Sequence, residues 1–338
     1  MKRFVYVHSR GATEVVVGVD VDLAQLVERP VIVAEEGLKI PIDAPALRLR
    51  GGEQIKDIST LYTIYRFFME HEVDRGSDVV AVGGGALLDV TTFAAGTYMR
   101  GVGLVNVPTT LLAMVDAAIG GKGAVDWGDV KNLVGVFYQP RLVICDLRWT
   151  HGLPERVYRA AFAEVVKYGV SLDPPLLDFL SKNAEALLAR DPKALEGLVY
   201  KAARDKASVV ELDEFEAHGI REVLNVGHTI GHALERTMGL LHGEAVSIGL
   251  VAELKISSML GYTSDEQVEQ ARQALEGLGL PTRPPRGEGL GEALKLIKYD
   301  KKRRGDKIRV PLVVGLGKWI LEEFELERFI ELAEHVLR

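Results

Sequence analysis

The fold is decided by the stretch Asp78-Val79-Val80-Ala81-Val82-Gly83-Gly84-Gly85-Ala86-Leu87-Leu88-Asp89. It begins with a continuous apolar run, passes through three glycines and enters a helical segment that extends to Met99. A continuous apolar strand indicates burial on both faces, as in a parallel sheet that helices cover on each side. Backbone N–H groups converge where such a strand turns into a helix, and a phosphate can bind there. The stretch therefore predicts a βα unit of an α/β domain.

The glycines of this stretch, Gly83, Gly84 and Gly85, are candidates for a dinucleotide-binding loop. The full fingerprint is incomplete, because Leu88 occupies the third glycine position and no acidic residue about 20 positions further on is placed to bind a ribose hydroxyl. A tight strand-to-helix turn without a ligand is the alternative explanation. Asp89 lies one turn into the helix, where the helix dipole favours a carboxylate with or without a ligand.

Further apolar runs surround this unit at residues 30–34, 103–107 and 142–145. Apolar residues at three- and four-residue spacing between Gln54 and Glu72 predict an amphipathic helix between the first run and the deciding stretch. Alternating strands and helices predict a Rossmann-like α/β domain over residues 1–149.

The texture of the chain changes after Trp149. Alanine, leucine, glutamate and lysine dominate there, and helical periods continue with brief interruptions at proline and glycine. A β-rich run at residues 308–314, followed by Gly315 and Gly317, predicts a hairpin, and a last helix is expected over residues 326–337. The sequence thus predicts a second, mainly α-helical domain over residues 150–338.

Composition limits the classes of function. The 338 residues are 47% apolar and 26% charged, which is typical of a globular chain, and the net charge of -7 disfavours binding to a nucleic-acid backbone. The single cysteine, Cys145, lies in an apolar run and reads as a buried core residue of a protein from a reducing compartment. No signal-peptide pattern and no apolar run of about 18 residues appears. We therefore expect a cytoplasmic enzyme without a nucleic-acid or membrane partner.

Several loops at predicted strand or helix ends carry polar residues where ligands of open α/β sheets bind. The segments Gly51 to Lys56 and Pro108-Thr109-Thr110 have capping and turn chemistry as an alternative explanation. The segment Asp116 to Lys122, followed by Lys131-Asn132, favours function instead, because a glycine pair before a lysine is hard to explain by packing. These loops are candidates for binding an anionic small molecule.

Histidines concentrate in the second half of the chain. His228 and His232 are four residues apart and share one face of a helix, and His242 follows ten residues later. Neutral imidazole suits zinc-like cations, and a catalytic site needs three protein ligands. Glu164 lies on an apolar helix where an unpaired carboxylate is costly to bury, so it is a candidate ligand. Spacing alone favours His228 and His232 as the histidine pair, with hydrogen-bonded core histidines as the alternative.

Taken together, these pieces resemble the 3-dehydroquinate synthase family over nearly the whole chain. The ordered set is specific to that family and contains Gly52 to Lys56, Gly83-Gly84-Gly85 with Asp89, Tyr98 to Gly101, Pro108-Thr109-Thr110, Asp116 to Lys122, Lys131-Asn132, Ala163 to Tyr168, Asp213 to Arg221, Asn225 to Glu235, Leu241 to Glu244 and Asp300-Lys301-Lys302. The resemblance implies metal ligation by Glu164, His228 and His242, with His232 near the substrate phosphate instead. It also implies zinc or cobalt as the metal.

The resemblance assigns the remaining candidate residues by their positions in the family pattern. Catalytic roles are implied for Lys122, Lys167, Lys206, Glu216, Arg221, Asn225 and His232. Substrate contacts are implied for Arg100, Asp116, Asn132, Lys301 and Lys302. NAD contacts are implied for Glu53, Lys56, Gly83, Gly84, Gly85, Asp89, Thr109, Thr110, Asp116, Lys122 and Lys131. The chain departs from the pattern at Leu88, Ala117-Ala118 and Gly152.

The activity that the resemblance implies is conversion of 3-deoxy-D-arabino-heptulosonate 7-phosphate into 3-dehydroquinate and phosphate. Such an enzyme is a phosphate-eliminating lyase of aromatic amino-acid biosynthesis that uses NAD transiently, for oxidation and re-reduction around elimination and aldol closure. Arg100 is expected to reach the phosphate site of a neighbouring subunit, which implies a homodimer. The alternatives are another sugar phosphate cyclase, of inosose or valiolone type, a metal-dependent polyol dehydrogenase, and a catalytically silent NAD-binding regulator.

Overall fold

The computed structural model describes residues 1–128, 130–286, 289–299 and 303–338. These residues form two compact units that interleave along the chain. The first unit contains Met1–Leu153 and Pro192–Ala217, and the second contains Pro154–Asp191 and His218–Arg338. The sequence predicted one boundary near residue 149, and as a division of function it stays a prediction. The compact units differ from it because residues 192–217 return to the first unit.

The first unit is built on a seven-stranded sheet. Its strands are β1 (Lys2–His8), β2 (Gly11–Gly18), β3 (Pro30–Glu35), β4 (Ala46–Leu49), β5 (Asp78–Gly83), β6 (Gly103–Pro108) and β9 (Leu142–Asp146). The order in the sheet is β1-β2-β9-β6-β5-β3-β4, and only the β1–β2 pair of this sheet is antiparallel. Every residue of β5 and β9 is buried, as the continuous apolar runs predicted. The α/β fold of this half is confirmed.

Helices and a hairpin complete the first unit. The helices are α1 (Ile58–Glu70), α2 (Gly85–Thr97) and α6 (Pro192–Leu212), and the hairpin is β7 (Lys122–Trp127) with β8 (Val130–Phe137). The sequence placed the start of α1 at Gln54, but the helix begins at Ile58. The side chain of Asp57 accepts a hydrogen bond from Thr60 N at 2.6 Å and caps the helix there, while residues 53–55 form a separate 3₁₀ turn.

The second unit is mainly helical, as predicted. Its helices are α3 (Glu155–Ala160), α4 (Phe162–Ser171), α5 (Pro174–Leu188), α7 (His228–Met238), α8 (His242–Met259), α9 (Asp265–Gly277), α10 (Leu290–Leu296) and α11 (Leu326–Leu337). A small sheet of β10 (Arg303–Arg304), β11 (Lys307–Val313) and β12 (Trp319–Glu325) contains the expected hairpin. All ten residues of α4 are buried, so this helix runs through the core.

The core of the second unit packs α7 and α8 against α10, α11 and the small sheet. Because α7 and α8 begin at His228 and His242, packing between these helices decides where the two histidines lie. Across the described ranges, none of the helices combines the length and the apolar character that crossing a membrane requires.

Candidate active site

The glycine turn of the first unit lies between β5 and α2. Gly84 N donates a hydrogen bond of 2.8 Å to the carboxylate of Glu35, which is the last residue of the neighbouring strand β3. Sequence reasoning looked for such an acid after the glycines and missed it, although Glu35 directly follows the apolar run at residues 31–34. A Cβ added at Gly84 would lie 3.4 Å from both Glu35 and Thr110, so the turn brings three chain segments together.

Next to this turn, the Lys56 ammonium contacts several of the predicted site residues. Its side chain is 4% exposed, and its Nζ lies 2.7 Å from Asp89 Oδ2 and 3.6 Å from Glu53 Oε1. The same ammonium donates a hydrogen bond to Asn132 Oδ1, and Lys131 lies 3.9 Å from Glu53. Burial raises the pKa of Asp89 to about 6, although Lys56 opposes the shift. The structure therefore brings Glu53, Lys56, Asp89, Lys131 and Asn132 together.

The two threonines that follow β6, Thr109 and Thr110, make different contacts. Thr109 is buried and its N–H bonds the carbonyl of Gly83 at 2.9 Å, which ties β6 to the glycine turn. Thr110 Oγ1 accepts a hydrogen bond of 3.1 Å from Ala113 N, as a helix-capping residue does. The capping explanation therefore holds for Thr110 in this structure, whether or not it also contacts a ligand.

Asp116 lies in a π-helical turn over Ala113–Ala117, a rare backbone form that is frequent at functional sites. Lys206 of α6 is 6% exposed, and its Nζ donates hydrogen bonds of 2.7 Å to both the carboxylate and the carbonyl of Asp116. Lys122, at the start of β7, forms an ion pair with Glu216. The structure thus forms two lysine–carboxylate ion pairs within the first unit, Lys206 with Asp116 and Lys122 with Glu216.

Arg100 occupies an exposed turn after α2. Both Met99 (φ 50°) and Arg100 (φ 61°) adopt left-handed backbone conformations that non-glycine residues rarely take. Strain of this kind, about 1–3 kcal/mol for each residue, is typical of positions kept for function. Arg100 itself is exposed on the first unit.

In the second unit, Glu164, His228 and His242 form a compact group. Their ligand atoms lie within 4.8 Å of one another, with His228 Nε2 at 3.3 Å and His242 Nε2 at 3.2 Å from Glu164 Oε1. Glu164, on α4, is 1% exposed and His228 is 7% exposed. The group combines two imidazoles and a carboxylate, which is the donor set of catalytic zinc sites with three protein ligands. It suits a divalent cation of the zinc type.

The outer nitrogens of both rings are also held. His228 Nδ1 lies 3.1 Å from the carbonyl oxygen of Val226, and His242 Nδ1 lies 3.0 Å from Glu235 Oε2. Because a carbonyl or carboxylate oxygen can only accept, these contacts favour a proton on Nδ1 of both rings and leave Nε2 as the atom that would bind a metal, as in most metal-binding histidines. Both Nε2 atoms face Glu164, so the surroundings fit a metal as well as the three donors do.

Charge around Glu164 is arranged to keep it ionised. Burial acts to raise the pKa of Glu164, but the adjacent Lys167 ammonium and His228 lower it well below the usual range. Lys167 is 1% exposed, and it also donates a hydrogen bond of 2.7 Å to Leu224 O. Burial lowers the pKa of His228, which favours the neutral form that binds metals. For His242, burial acts in the same direction, but hydrogen bonds to Glu164 and Glu235 raise the pKa to about 10.

The other predicted residues of the second unit lie near this group along the chain. Arg221 is 1% exposed, and Asn225 donates a hydrogen bond of 2.9 Å to Glu222. His232 is exposed and belongs to a second candidate group, with Glu235 and His242. Neither candidate group among the described residues contains both His228 and His232, the pair that spacing favours, and which histidines bind a metal stays a prediction. Lys301 and Lys302 lie outside the described residues.

The chain matches two family models in succession. Residues 46–160 match the model described as 3-dehydroquinate synthase N-terminal, and residues 161–303 match the model described as 3-dehydroquinate synthase C-terminal. A relative from Pyrobaculum neutrophilum named 3-dehydroquinate synthase is 60% identical over 340 residues, which cover 100% of this chain and 99% of the relative. One with the same name from Saccharolobus solfataricus is 40% identical over 324 residues, covering 94% and 92%.

Solved structures with the same fold come from related cyclases. A 2-deoxy-scyllo-inosose synthase complexed with carbaglucose-6-phosphate, NAD+ and Co2+ superposes with a TM-score of 0.89 at 26% identity, over 99% of this chain and 100% of that one. A 2-epi-5-epi-valiolone synthase from Streptomyces hygroscopicus, with NAD+ and Zn2+ bound, gives 0.82 at 23% identity and covers 96% of each chain. The latter likeness shows the fold alone.

Proposed function

Because the chain belongs to the 3-dehydroquinate synthase family, we propose that it converts 3-deoxy-D-arabino-heptulosonate 7-phosphate into 3-dehydroquinate and phosphate. The observation that carries the proposal is the 60% identity to relatives of that name over the full length. The buried group of Glu164, His228 and His242 supports it from the side of chemistry. The enzyme is then a phosphate-eliminating lyase of aromatic amino-acid biosynthesis.

The proposal includes NAD and one divalent metal. The inosose synthase that shares the fold was solved with NAD+ and Co2+, and the donor set of Glu164, His228 and His242 suits cobalt or zinc. When bound, NAD would supply reversible hydride transfer, and the metal would polarise the alcohol that is oxidised. Glu164, His228 and His242 would hold the metal, and Glu235 and Val226 O orient the two rings.

NAD binding is assigned to the first unit. The Gly83–Gly85 turn and the N-terminus of α2 would bind the diphosphate, and Glu35, at the end of the neighbouring strand, would bind a ribose hydroxyl. The set of Glu53, Lys56, Asp89 and Lys131 supplies polar contacts beside the turn. Thr109 and Thr110 line the end of β6. Glu35 adds to the cofactor residues that the sequence predicted.

The substrate contacts that the family pattern implies are proposed for each unit in turn. In the first unit, Asp116 holds the Lys206 ammonium in place, and Glu216 holds that of Lys122, as groups that bind oxygens or transfer protons. In the second unit, Lys167, Arg221, Asn225 and His232 serve the substrate carboxylate and phosphate, for which fixed cations are suited. Asn132 and the pair of Lys301 and Lys302 complete the proposed contacts.

The activity test uses the whole enzyme with Co2+, a catalytic amount of NAD and the heptulosonate phosphate. We expect stoichiometric phosphate release without accumulation of NADH, and 3-dehydroquinate as the product identified by mass spectrometry and NMR. Six-carbon and other seven-carbon sugar phosphates are assayed in parallel. Faster phosphate release from one of those would support an inosose- or valiolone-type cyclase, and net NADH formation from a simple polyol would support a dehydrogenase.

The metal assignment has a separate test. We expect His242→Ala to lose bound metal and turnover together, because the change removes one of three donors and a site of two ligands is weak. Metal content is measured by elemental analysis after gel filtration, and folding by circular dichroism. Full activity with full metal content in this variant would exclude the assignment.

We also propose a homodimer in which Arg100 contributes to the phosphate site of the partner subunit. The strained, exposed backbone at Met99 and Arg100 supports this role. Inactive Arg100→Ala and His242→Ala chains are mixed after dissociation and allowed to reassociate. About a quarter of wild-type activity should return, because half of the dimers are then mixed and one of the two sites in each mixed dimer has both an intact arginine and intact metal ligands. A mixture as inactive as its components would contradict the shared site.

Two coarser assignments complete the proposal. The first proposes that residues 1–149 bind NAD and that residues 150–338 bind metal and substrate, although residues 192–217, which carry Lys206 and Glu216, belong to the first compact unit. A cytoplasmic location rests on the single buried cysteine, Cys145, and is tested by fractionation of the source cells.

A further inference from the structure

Glu253 is a buried glutamate of α8 that the proposed chemistry does not use. Its residue is 1% exposed, and its carboxylate accepts hydrogen bonds from Gly227 N at 2.6 Å and from Ile230 N at 3.3 Å. Both N–H groups belong to the start of α7, where a helix has unpaired backbone donors. Glu253 therefore caps the helix that begins at His228, from a helix that begins at His242.

The close approach of α7 and α8 explains why the cap comes from another helix. The residue at the N-cap of α7 is Gly227, which has φ 80° and no side chain to accept these bonds. A Cβ there would lie 2.9 Å from Leu250 Cα, and a Cβ at Gly249 would collide with the carbonyl oxygen of Gly227. No serine, threonine or aspartate fits at the N-cap, so the acceptor comes from Glu253, one turn beyond Gly249.

The hydrogen bonds continue from this cap to the candidate metal group. The peptide unit between Val226 and Gly227 donates its N–H to Glu253, and its carbonyl oxygen accepts a hydrogen bond from His228 Nδ1 at 3.1 Å. With the proton on Nδ1, Nε2 is the atom that would bind the metal, and it faces Glu164 Oε1 at 3.3 Å. A carboxylate bound to the N–H polarises the peptide, which strengthens the acceptor at its other end.

We propose that Glu253 is a positioning residue that orients His228 through the peptide unit 226–227 and thereby sets the metal affinity of the site. The inference rests on the metal site proposed above and names a residue outside that site. Outer-shell carboxylates usually contact the ligand side chain itself, as Glu235 does for His242. Here the backbone transmits the contact, because the glycine-packed crossing of α7 and α8 leaves no space for a side chain beside His228.

The test compares Glu253→Gln with Ser257→Ala in the full-length enzyme. Ser257 lies one turn further along α8 and is also buried. Its hydroxyl donates a hydrogen bond to the backbone carbonyl of Glu253 rather than to the Glu253 carboxylate. Ser257→Ala therefore controls for the loss of a buried polar contact. Metal-free protein is titrated with Co2+, and the visible absorption bands of the bound ion are recorded. NAD binding and thermal unfolding of the metal-free forms are measured in parallel.

We expect Glu253→Gln to weaken Co2+ binding by about 10- to 100-fold and to shift the visible bands, as other outer-shell changes do. Excess Co2+ should restore kcat with little change in KM, and NAD affinity should stay as in the wild type. Ser257→Ala should bind Co2+ within about twofold of the wild type, because the peptide unit 226–227 is untouched. Equal Co2+ affinity and equal spectra for Glu253→Gln and the wild type would overturn the proposal.

Two further measurements apply if Glu253→Gln does not fold or if the wild type binds no Co2+. If Glu253→Gln does not fold, Glu253→Asp replaces it, since the charge is kept and the side chain is one methylene too short to hold Gly227 N–H. An unchanged Co2+ affinity in that variant overturns the proposal, and a loss of threefold or more supports it. If the wild type binds no Co2+, or binds it equally well after His228→Ala, the metal site itself is wrong. An unaffected Glu253→Gln beside an intact wild-type site removes only this inference.

Discussion

His228 and His232 lie one turn apart on α7, yet their surroundings differ. The ring of His228 is buried against Glu164, whereas His232 is exposed, and the ring centroids are 5.1 Å apart. The Nδ1 atom of His228 is oriented by Val226 O, so its Nε2 faces the other donors. Two histidines that spacing treats as equivalent are therefore expected to take different parts in catalysis.

Alanine substitutions at these two positions form a matched pair. We expect His228→Ala to weaken Co2+ binding by at least about 100-fold, since one of three protein ligands is lost, while His232→Ala binds Co2+ within a few-fold of the wild type. His232→Ala should instead raise the KM for the sugar phosphate. Co2+ titration and steady-state kinetics measure both effects. Loss of Co2+ from His232→Ala with retention in His228→Ala would reverse the assignment.

Sequence reasoning reached part of this group for a physical reason. A carboxylate on the apolar helix α4 is costly to bury alone, so Glu164 was expected to have partners, and the structure gives it Lys167, His228 and His242. The proximity of His228 to His242 has no signal in their spacing, because the packing of α7 on α8 produces it. Glu35 and Glu253 were missed since each acts on a glycine N–H remote in the sequence. Metal ligation itself stays a prediction.

At the level of elements, the start of α1 shows how a cap overrides periodicity. Apolar spacing extends back to Ile55, but Asp57 accepts the N–H of Thr60 and stops the helix at Ile58. An Asp-x-x-Thr sequence at the cap was the available signal. By contrast, α11 and the β11–β12 hairpin were predicted closely, because Leu326–Leu337 has a strong helical period and glycines separate the two strands.

We expect Asp57→Ala to destabilise the enzyme by about 1 kcal/mol, the usual effect of losing a helix N-cap. Burial acts to raise the pKa of Asp57, but hydrogen bonds from Thr60 and Ser59 lower it below the ordinary value of 3.8. Because the folded pKa is the lower one, the contribution of Asp57 to stability is present above pH 3.8 and is lost as the pH falls through the folded value.

Urea unfolding of the wild type and of Asp57→Ala at several pH values measures this contribution. The difference in unfolding free energy should be constant near neutral pH and should shrink below pH 3.8. Asp57→Asn serves as the control, because asparagine caps a helix without an ionisable group. A difference between wild type and Asp57→Ala that grows on acidification would contradict the capping role.

For the molecule as a whole, the path of the chain was harder to predict than its elements. The change in composition after Trp149 correctly predicted helices, but it did not indicate that α6 belongs to the first unit. An alanine-rich amphipathic helix packs on a sheet or on other helices equally well, so its sequence does not name its partner. The return of α6 lets Lys206 bond Asp116, and the catalytic role proposed for Lys206 depends on that position.

NAD and the metal are each proposed to have their main contacts within one compact unit, so loss of one of them should leave binding of the other largely intact. We expect removal of the metal by a chelator to change the Kd of NAD by less than about threefold, a coupling below roughly 0.7 kcal/mol. Isothermal titration of NAD into metal-loaded and metal-free enzyme measures this.

Lys56→Met is the reciprocal variant. The change removes the buried ammonium that binds Asp89, and Lys56 is far from the metal donors in the sequence. That variant should lose NAD affinity while its Co2+ spectrum stays as in the wild type. Mutual losses of tenfold or more would mean that the two sites are coupled, and the assignment of each ligand to one unit would then be wrong.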